Sequence, residues 1–216
     1  MKKLLTTIMG CLFLQFGFAQ YAEYDWNERD TWMDVNYILE KAGIEAGSRV
    51  ADIGCHEGYF TVHLANKVGD EGKVYAVDVK ARVLNKLRGH LDDRKLTNVE
   101  VILGDYDNPK LPENSLDVVV IMDTYHEMTD YMTILSHVKT ALKPDGKIVI
   151  IEKLKSWIKG KSRKAQTDAH SLSMKYVKEE LKETGFSIIH QDKDIGEWEN
   201  NPDKVIWIVV GEKPTY

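Results

Sequence analysis

The sequence lacks the features that mark several common classes of protein. It has no excess of positive charge, since its formal net charge is -5, and this argues against a generally nucleic-acid-binding surface. Its apolar run near the N-terminus, from Leu4 to Phe18, is short for a membrane span. No internal repeat, linker or sign of a second domain interrupts the chain. The length therefore predicts a single globular domain with a sizeable core.

The first residues have the pattern of a secretory signal. Lys2 and Lys3 precede the apolar run, and Gly17-Phe18-Ala19 offers the small residues that a signal peptidase needs. We expect residues 1-19 to be a signal peptide and residues 20-216 to be the exported domain, in the periplasm or cell envelope. An uncleaved anchor is the second interpretation, and the protein stays cytoplasmic if the signal is not used.

Cysteine is scarce as well. A lipoprotein signal ending at Cys11 is a weaker interpretation, because the apolar run continues past it. Cleavage after Ala19 removes Lys2, Lys3 and no acid, which takes the net charge from -5 to -7 and leaves Cys55 as the one cysteine. A lone thiol cannot form an internal disulfide in an oxidising compartment. We expect it to be a small buried residue in a turn rather than a nucleophile.

The stretch from Arg49 to Phe60, RVADIGCHEGYF, is the part around which the rest is organised. An apolar strand ends at Ile53, the chain turns through Gly54 and Gly58, and a helical pattern follows. Glycines let the backbone approach a ligand closely, and the amides at the start of the helix can face a polar group. A strand, a glycine turn and a helix form half of a nucleotide-binding unit.

The spacing of this turn differs from the G-x-G-x-x-G of dinucleotide sites. Asp52 precedes the first glycine, and the next strand, Lys73 to Val79, carries Asp78 near its end. A carboxylate at that place can accept the two hydroxyls of a ribose. The pattern favours a nucleoside that bears an amino acid, while a tight turn without any ligand is the competing interpretation.

These residues resemble motif I of the class I S-adenosylmethionine-dependent methyltransferases, D-x-G-x-G-x-G followed by an acid that closes the next strand. Asp52, Gly54, Gly58 and Asp78 match, and His56 replaces the middle glycine. Histidine tolerates positive φ better than most residues. The resemblance implies S-adenosyl-L-methionine as the cofactor, with the whole turn, Cys55 and His56 included, in its binding site.

Strand and helix patterns alternate along the rest of the chain, which predicts a parallel sheet with right-handed crossovers. Two final strands, Phe186 to His190 and Val205 to Val210, are joined through a turn-rich segment. We therefore predict an α/β fold with a Rossmann-like doubly wound sheet, mostly parallel, and a C-terminal antiparallel hairpin. The resemblance covers nearly all of residues 20-216.

Further candidates follow the third and fourth strands. The resemblance implies that Asp105 holds the adenine amino group and that Asp123 also belongs to the cofactor site; a plain turn aspartate is the alternative for Asp105. The segment Asp123-Thr124-Tyr125-His126-Glu127 is similar to the N/D-x-Y-H of some small-molecule methyltransferases. It implies His126 as a general base, with Tyr125 shaping the pocket. A structural histidine is the alternative.

Apolar spacing from Asn27 to Ala42 predicts one helix before the core strand, followed by Gly43 as its stop. Within it, Arg29-Asp30-Thr31-Trp32 resembles an R-D-x-W that some family members place over the cofactor. An amphipathic helix packed on the sheet is an equal alternative.

Positive charge concentrates from Lys153 to Lys164 around Trp157. It could attract an anionic substrate or a lipid headgroup surface, but a solvated loop is favoured. His170 follows as a candidate substrate contact. With His56 and His126 it has no ligand spacing for a metal, so no metal is expected.

The sequence favours methyl transfer from S-adenosyl-L-methionine to a small-molecule acceptor. An exported, non-catalytic ligand-binding protein that keeps the fold is the alternative, because His56 departs from the motif and the cofactor is made in the cytosol. A nicotinamide-dependent oxidoreductase is disfavoured by the missing G-x-G-x-x-G. The acceptor and the oligomeric state do not follow from the sequence.

Overall fold

The computed structural model describes residues 22-215, so the predicted signal peptide lies outside the described residues. These residues form one seven-stranded sheet in the order β3-β2-β1-β4-β5-β7-β6. The first five strands pair in parallel, and β7 runs antiparallel to both β5 and β6. The predicted doubly wound sheet with an antiparallel C-terminal hairpin is confirmed.

The strands and helices alternate through most of the chain. The strands are β1 (Arg49–Ile53), β2 (Lys73–Asp78), β3 (Val99–Leu103), β4 (Leu116–Met122), β5 (Leu142–Lys155), β6 (Ser187–Asp192) and β7 (Lys204–Glu212). The helices are α1 (Trp26–Arg29), α2 (Val35–Ala42), α3 (Tyr59–Val68), α4 (Ala81–Arg94), α5 (Tyr131–Ala141), α6 (Arg163–Asp168) and α7 (Met174–Glu183).

The central strands are apolar on both faces because helices cover both. In β1, Val50 belongs to a buried cluster with α2 and α3 residues, whereas its neighbour Ala51 belongs to a second cluster with α5 and α7 residues. Successive side chains point to opposite faces of a strand. The continuous apolar run therefore places β1 in the middle of a three-layer core.

The segment before β1 differs from the single helix predicted for Asn27 to Ala42. It forms two helices, and the chain leaves helical geometry between Arg29 and Val35. The carboxylate of Asp34 accepts the backbone N–H of Tyr37 at 2.9 Å. Asp34 therefore caps a new helix, and capping by a short polar side chain competes with helix continuation.

The strand β5 is also longer than the predicted Lys147 to Ile151. It begins at Leu142 and passes through the Lys143-Pro144-Asp145-Gly146 turn, where Asp145 has a φ of 60° and the pairing with β4 shifts register. The shift lets the strand continue from the end of α5 without a separate loop. Its far end, from Glu152 to Lys155, extends beyond the edge where β4 stops.

Over residues 22-215, every helix is too short or too polar to cross a bilayer.

Gly58 offers a test of the packing between α3 and α4. It caps α3 with a φ of 100°, and an added Cβ would collide with the side chain of Leu87 on α4. Gly47 also has a positive φ, 83°, but a Cβ added there would meet no atom within 4 Å. We expect Gly47→Ala to cost about 1 kcal/mol of strain, and Gly58→Ala to cost about 1–3 kcal/mol more because of overpacking. Urea unfolding measures both, and equal costs would contradict the packing role.

Candidate functional site

The carboxyl ends of β1, β2 and β4 meet at one edge of the sheet, where the strand order reverses. Ligands of open α/β sheets bind in the crevice at this point. A cavity of about 360 Å³ opens there. It is lined by all but one of the predicted cofactor residues, namely Asp52, Gly54, Cys55, His56, Asp78, Asp105 and Asp123. Gly58 is the exception: it lies outside the cavity lining and packs against the side chain of Leu87.

The turn after β1 keeps a left-handed backbone at the position where the motif has its middle glycine. Gly54 and His56 have φ values of 80° and 50°. The N–H of His56 points to the carboxylate of Asp78, at 3.1 Å from Oδ2. Histidine therefore adopts the conformation that glycine would supply, and the turn remains open toward the cavity.

Asp78 is held by backbone donors at the end of β2. Its Oδ2 accepts from His56, and its Oδ1 accepts from the N–H of Lys80 at 2.9 Å. Both bonds come from residues next to the cavity. The carboxylate thus has a fixed orientation, with lone pairs left for a hydroxyl-bearing ligand.

Asp52 lies deeper in the same cavity and is 2% exposed. The hydroxyl of Thr61 donates to its Oδ2 at 2.6 Å. Burial raises the pKa of Asp52 to about 6, against the opposing influence of the Thr61 hydrogen bond and the Arg29 charge. Burying the charged form of Asp52 without a nearby positive charge is unfavourable. The site therefore favours a ligand that places a cationic group beside this carboxylate.

The lone cysteine of the described residues has no features of a nucleophile. Cys55 is buried, and burial raises the pKa of its thiol well above its usual value. The thiol rather than the thiolate is therefore present at neutral pH. Cys55 is a small buried residue of the turn, as predicted.

The two outer acids of the site differ in their surroundings. Asp105 is exposed and forms an ion pair with Lys110 at 3.0 Å. Asp123 is buried, has a φ of 50°, and forms an ion pair with the ammonium group of Lys153. Asp123 is therefore neutralised in the interior, whereas Asp105 forms a solvent-exposed pair at the rim of the cavity, where a ligand can compete with Lys110.

Arg29 is a cavity residue that the sequence indicated only through the R-D-x-W resemblance. It is 5% exposed, and its guanidinium lies over the rings of Tyr59 and Trp198 at 4.2 and 4.9 Å from their centres. The next residue, Asp30, accepts a hydrogen bond from the hydroxyl of Tyr59 at 2.8 Å, which fixes the segment against α3. Arginine stacks well on aromatic faces, so the charge is held in place at the cavity wall.

The prediction that Tyr125 shapes the pocket is wrong, because its side chain does not line the cavity. It is fully buried in the cluster that contains the α5 and α7 residues. Its hydroxyl donates to Glu180 at 2.8 Å, and its ring packs edge-on against Tyr131. Its position follows from the 3-10 turn over Tyr125–Glu127, which directs successive side chains in different directions. Tyr125 is therefore a core residue.

His126 is buried between two carboxylates. Its Nδ1 lies 2.9 Å from both oxygens of Glu152, and its Nε2 lies 3.2 Å from Glu127. Burial lowers its pKa, but Glu152, Glu127 and Asp123 together outweigh burial and raise it to about 10. With this pKa and no bound ion, the ring holds its proton at neutral pH, so this geometry does not support the predicted role as a general base.

His170 lies on the outer side of the same cluster. Its Nδ1 is 2.7 Å from Glu127, and its ring centre is 5.9 Å from that of His126. The spacing of His56, His126 and His170 along the chain predicted no common metal site. The structure corrects this for His126 and His170, while His56 stays at the β1 turn, bonded to Asp78.

The segment from Lys153 to Lys164 is less available than its composition predicted. Lys153 is buried against Asp123 and Trp198. Arg163 bonds to Glu180 and Lys164 to Asp168, at 2.6 and 2.7 Å. Much of the positive charge is therefore paired within the protein, which argues against a free basic surface. The solvated-loop interpretation is wrong for Lys153, which is buried on β5.

Comparison with known proteins agrees with this geometry. Residues 44-201 match a family model described as a methyltransferase domain. A demethylmenaquinone methyltransferase from a Geobacillus species is 32% identical over 114 residues, 53% of this chain and 49% of that protein. The chain thus spans about half the length of the curated relatives it matches.

Solved structures show the same fold. A SAM-dependent methyltransferase from Aquifex aeolicus superposes with a TM-score of 0.71 at 25% identity, over 83% of this chain and 89% of that chain. The phosphoethanolamine N-methyltransferase 2 of Haemonchus contortus, in complex with S-adenosyl-L-methionine, gives a TM-score of 0.68 at 17% identity, over 88% and 53%. The second likeness concerns the fold alone.

The family implied by the sequence is confirmed. Because the matched residues 44-201 are more than half of the chain, this protein belongs to the methyltransferase domain family, and it has the Rossmann-like fold of the class I S-adenosylmethionine-dependent methyltransferases.

Proposed function

We propose that this protein binds S-adenosyl-L-methionine at the β1–β2–β4 edge and transfers its methyl group to a small-molecule acceptor. The observation that carries the proposal is the carboxylate of Asp78, fixed at 3.1 Å from the N–H of His56 at the wall of the cavity. This pair joins a ribose-binding acid to a backbone turn suited to the rest of the nucleoside.

The donor set of the cavity fits each part of this cofactor. Asp78 would accept the ribose hydroxyls, and Asp105 at the rim would accept the adenine amino group. Deeper in the cavity, the amino-acid end carries one positive and one negative charge, and Asp52 and Arg29 offer the two opposite charges there. Two buried charged side chains of opposite sign are costly to keep unless a ligand or each other compensates them.

When bound, the cofactor supplies a methyl group on a positively charged sulfur. The protein's part is then to orient the acceptor in line with that methyl group and to exclude water. Orientation alone can supply a large share of such a rate. The cavity walls, including Phe60, Met122 and Met128, give an apolar surround for the reacting centre.

Support for a small-molecule acceptor comes from the segment Asp123-Thr124-Tyr125-His126-Glu127, which resembles the N/D-x-Y-H of some small-molecule methyltransferases. The name of the Geobacillus relative concerns a demethylmenaquinone acceptor. A quinol is therefore the first acceptor class to assay.

The proposal keeps export through residues 1-19, although these residues lie outside those described. Its support is the basic pair, the apolar run and the small residues before Gln20. An exported enzyme would need a supply of cofactor outside the cytosol.

Asp78→Ala is the direct test of the cofactor site. Loss of a charged acceptor of two hydroxyl hydrogen bonds should weaken S-adenosylmethionine binding at least about tenfold. Calorimetric titration of the full chain with the cofactor and with its demethylated product measures this. Asp93→Ala, an exposed acid on α4, is the matched control and should bind like the wild type. Equal affinities for the two variants would contradict the site.

Arg29 gives a test that distinguishes the parts of the ligand. If its guanidinium binds the cofactor's carboxylate, the wild type should prefer S-adenosylmethionine to its decarboxylated analogue by about ten- to a hundredfold. Arg29→Gln should bind both equally, because the lost contact involves the carboxylate alone. Competition binding measures the two affinities.

Arg94→Gln serves as the control for this experiment, since Arg94 also stacks on a tryptophan, Trp26, at 5.1 Å. It should keep the wild-type preference. A preference that persists in a folded Arg29→Gln variant would exclude Arg29 as the carboxylate ligand.

A further inference from the structure

The cluster beside the cavity contains three side chains with the donor atoms of a metal site. His126, Glu127 and His170 each offer one ligand atom, and these three atoms lie within 4.8 Å of one another. Oε1 of Glu127 lies 3.2 Å from Nε2 of His126 and 2.7 Å from Nδ1 of His170. Ligand atoms about 2.0–2.2 Å from a tetrahedral zinc ion lie slightly more than 3 Å apart, so small side-chain movements would suffice.

We propose that His126, Glu127 and His170 bind a divalent transition-metal ion, with Zn²⁺ as the best-matched species. Two imidazoles and one carboxylate form the ligand set of many catalytic zinc sites and of non-haem iron sites. Three protein ligands leave at least one position open for an oxygen or sulfur donor. The inference stands on these side chains alone and does not depend on the proposed methyl transfer.

A second observation supports the site from behind the ligands. Glu152 is fully buried on β5, and both of its oxygens lie 2.9 Å from Nδ1 of His126. Glu152 also accepts the backbone N–H of His126 at 3.0 Å. Metal-binding histidines commonly donate their other ring N–H to a carboxylate, which fixes the ring and directs the second nitrogen at the ion. The same arrangement turns Nε2 of His126 toward Glu127.

An alternative group, Asp123, His126 and Glu152, also brings three donor atoms together. It is fully buried, and the ammonium of Lys153 already bonds to Asp123. A metal cation there would lie beside a buried positive charge, which is strongly unfavourable in a medium of low dielectric constant. The outer group has half-exposed Glu127 and exposed His170, which give an ion a path from solvent.

The position relates the ion to the ligand cavity. Glu127 lines that cavity together with Asp123, Met128 and Thr129. An ion held by Glu127 would therefore lie at the cavity wall, next to the residues that follow β4. A ligand with an anionic oxygen or sulfur could reach its open position.

Direct metal binding tests the proposal without any turnover. The tag-free full chain, stripped with a chelator, is titrated with Zn²⁺ against a chromophoric chelator and with Co²⁺ while its visible absorption is followed. We expect one Zn²⁺ per chain with a Kd of about 1 μM or tighter. Co²⁺ should give the d–d absorption of a four- or five-coordinate ion with nitrogen and oxygen ligands.

His170→Ala and Glu127→Gln should each weaken Zn²⁺ binding at least about a hundredfold, and both side chains lie far enough out for the fold to persist. His63→Ala is the matched control, because His63 also pairs with a carboxylate, Asp30, at 3.0 Å. It should bind Zn²⁺ as the wild type does. Circular dichroism checks the fold of each variant.

Two outcomes would overturn the site. One is wild-type binding weaker than about 100 μM, which would leave the cluster as a metal-free hydrogen-bond network. The other is tight binding that survives both substitutions, which would place the ion elsewhere. Neither outcome changes the expected binding of S-adenosylmethionine, so failure of this site and failure of the cofactor site are distinguishable.

Discussion

The site depends on the parallel pairing of β1 with its two neighbours. Asp52 of β1 lies opposite Ala76 of β2 and Val120 of β4, so all three strands end at one edge of the sheet. This register brings Asp78 to the turn after β1 and lets its carboxylate accept the N–H of His56. A slip of one residue would exchange the faces of every side chain in the strand. The buried, helix-covered faces prevent such a slip.

The sequence was sufficient for the parts of the site that are close together along the chain. Asp52, Gly54 and His56 belong to one strand and its turn, and Asp78 follows one helix later. Their placement around one cavity could be predicted because the βαβ unit fixes their relative positions. The strand alternation predicted the sheet for the same reason. The break between α1 and α2 was missed because it depends on a cap at Asp34 rather than on apolar spacing.

Contacts between distant parts of the chain could not be predicted in the same way. Glu152 reaches His126 because β5 continues past the end of β4, and the long strand was not predicted. His170 reaches Glu127 from the segment after α6, 43 residues along the chain. The carboxylates around His126 raise its pKa, so this geometry does not support a role as a simple base, while Tyr125, one residue earlier, lies in the core. Neighbouring residues of one motif thus have unrelated roles.

The most direct test of the account is transfer of a labelled methyl group. The full chain is incubated with methyl-¹³C S-adenosylmethionine and with a panel of small acceptors that includes demethylmenaquinol, and the products are followed by mass spectrometry. The account predicts a labelled acceptor and an equal amount of the demethylated cofactor, both dependent on the protein. Cofactor binding without transfer to any acceptor would contradict the enzymatic function and favour a ligand-binding protein that keeps the methyltransferase fold.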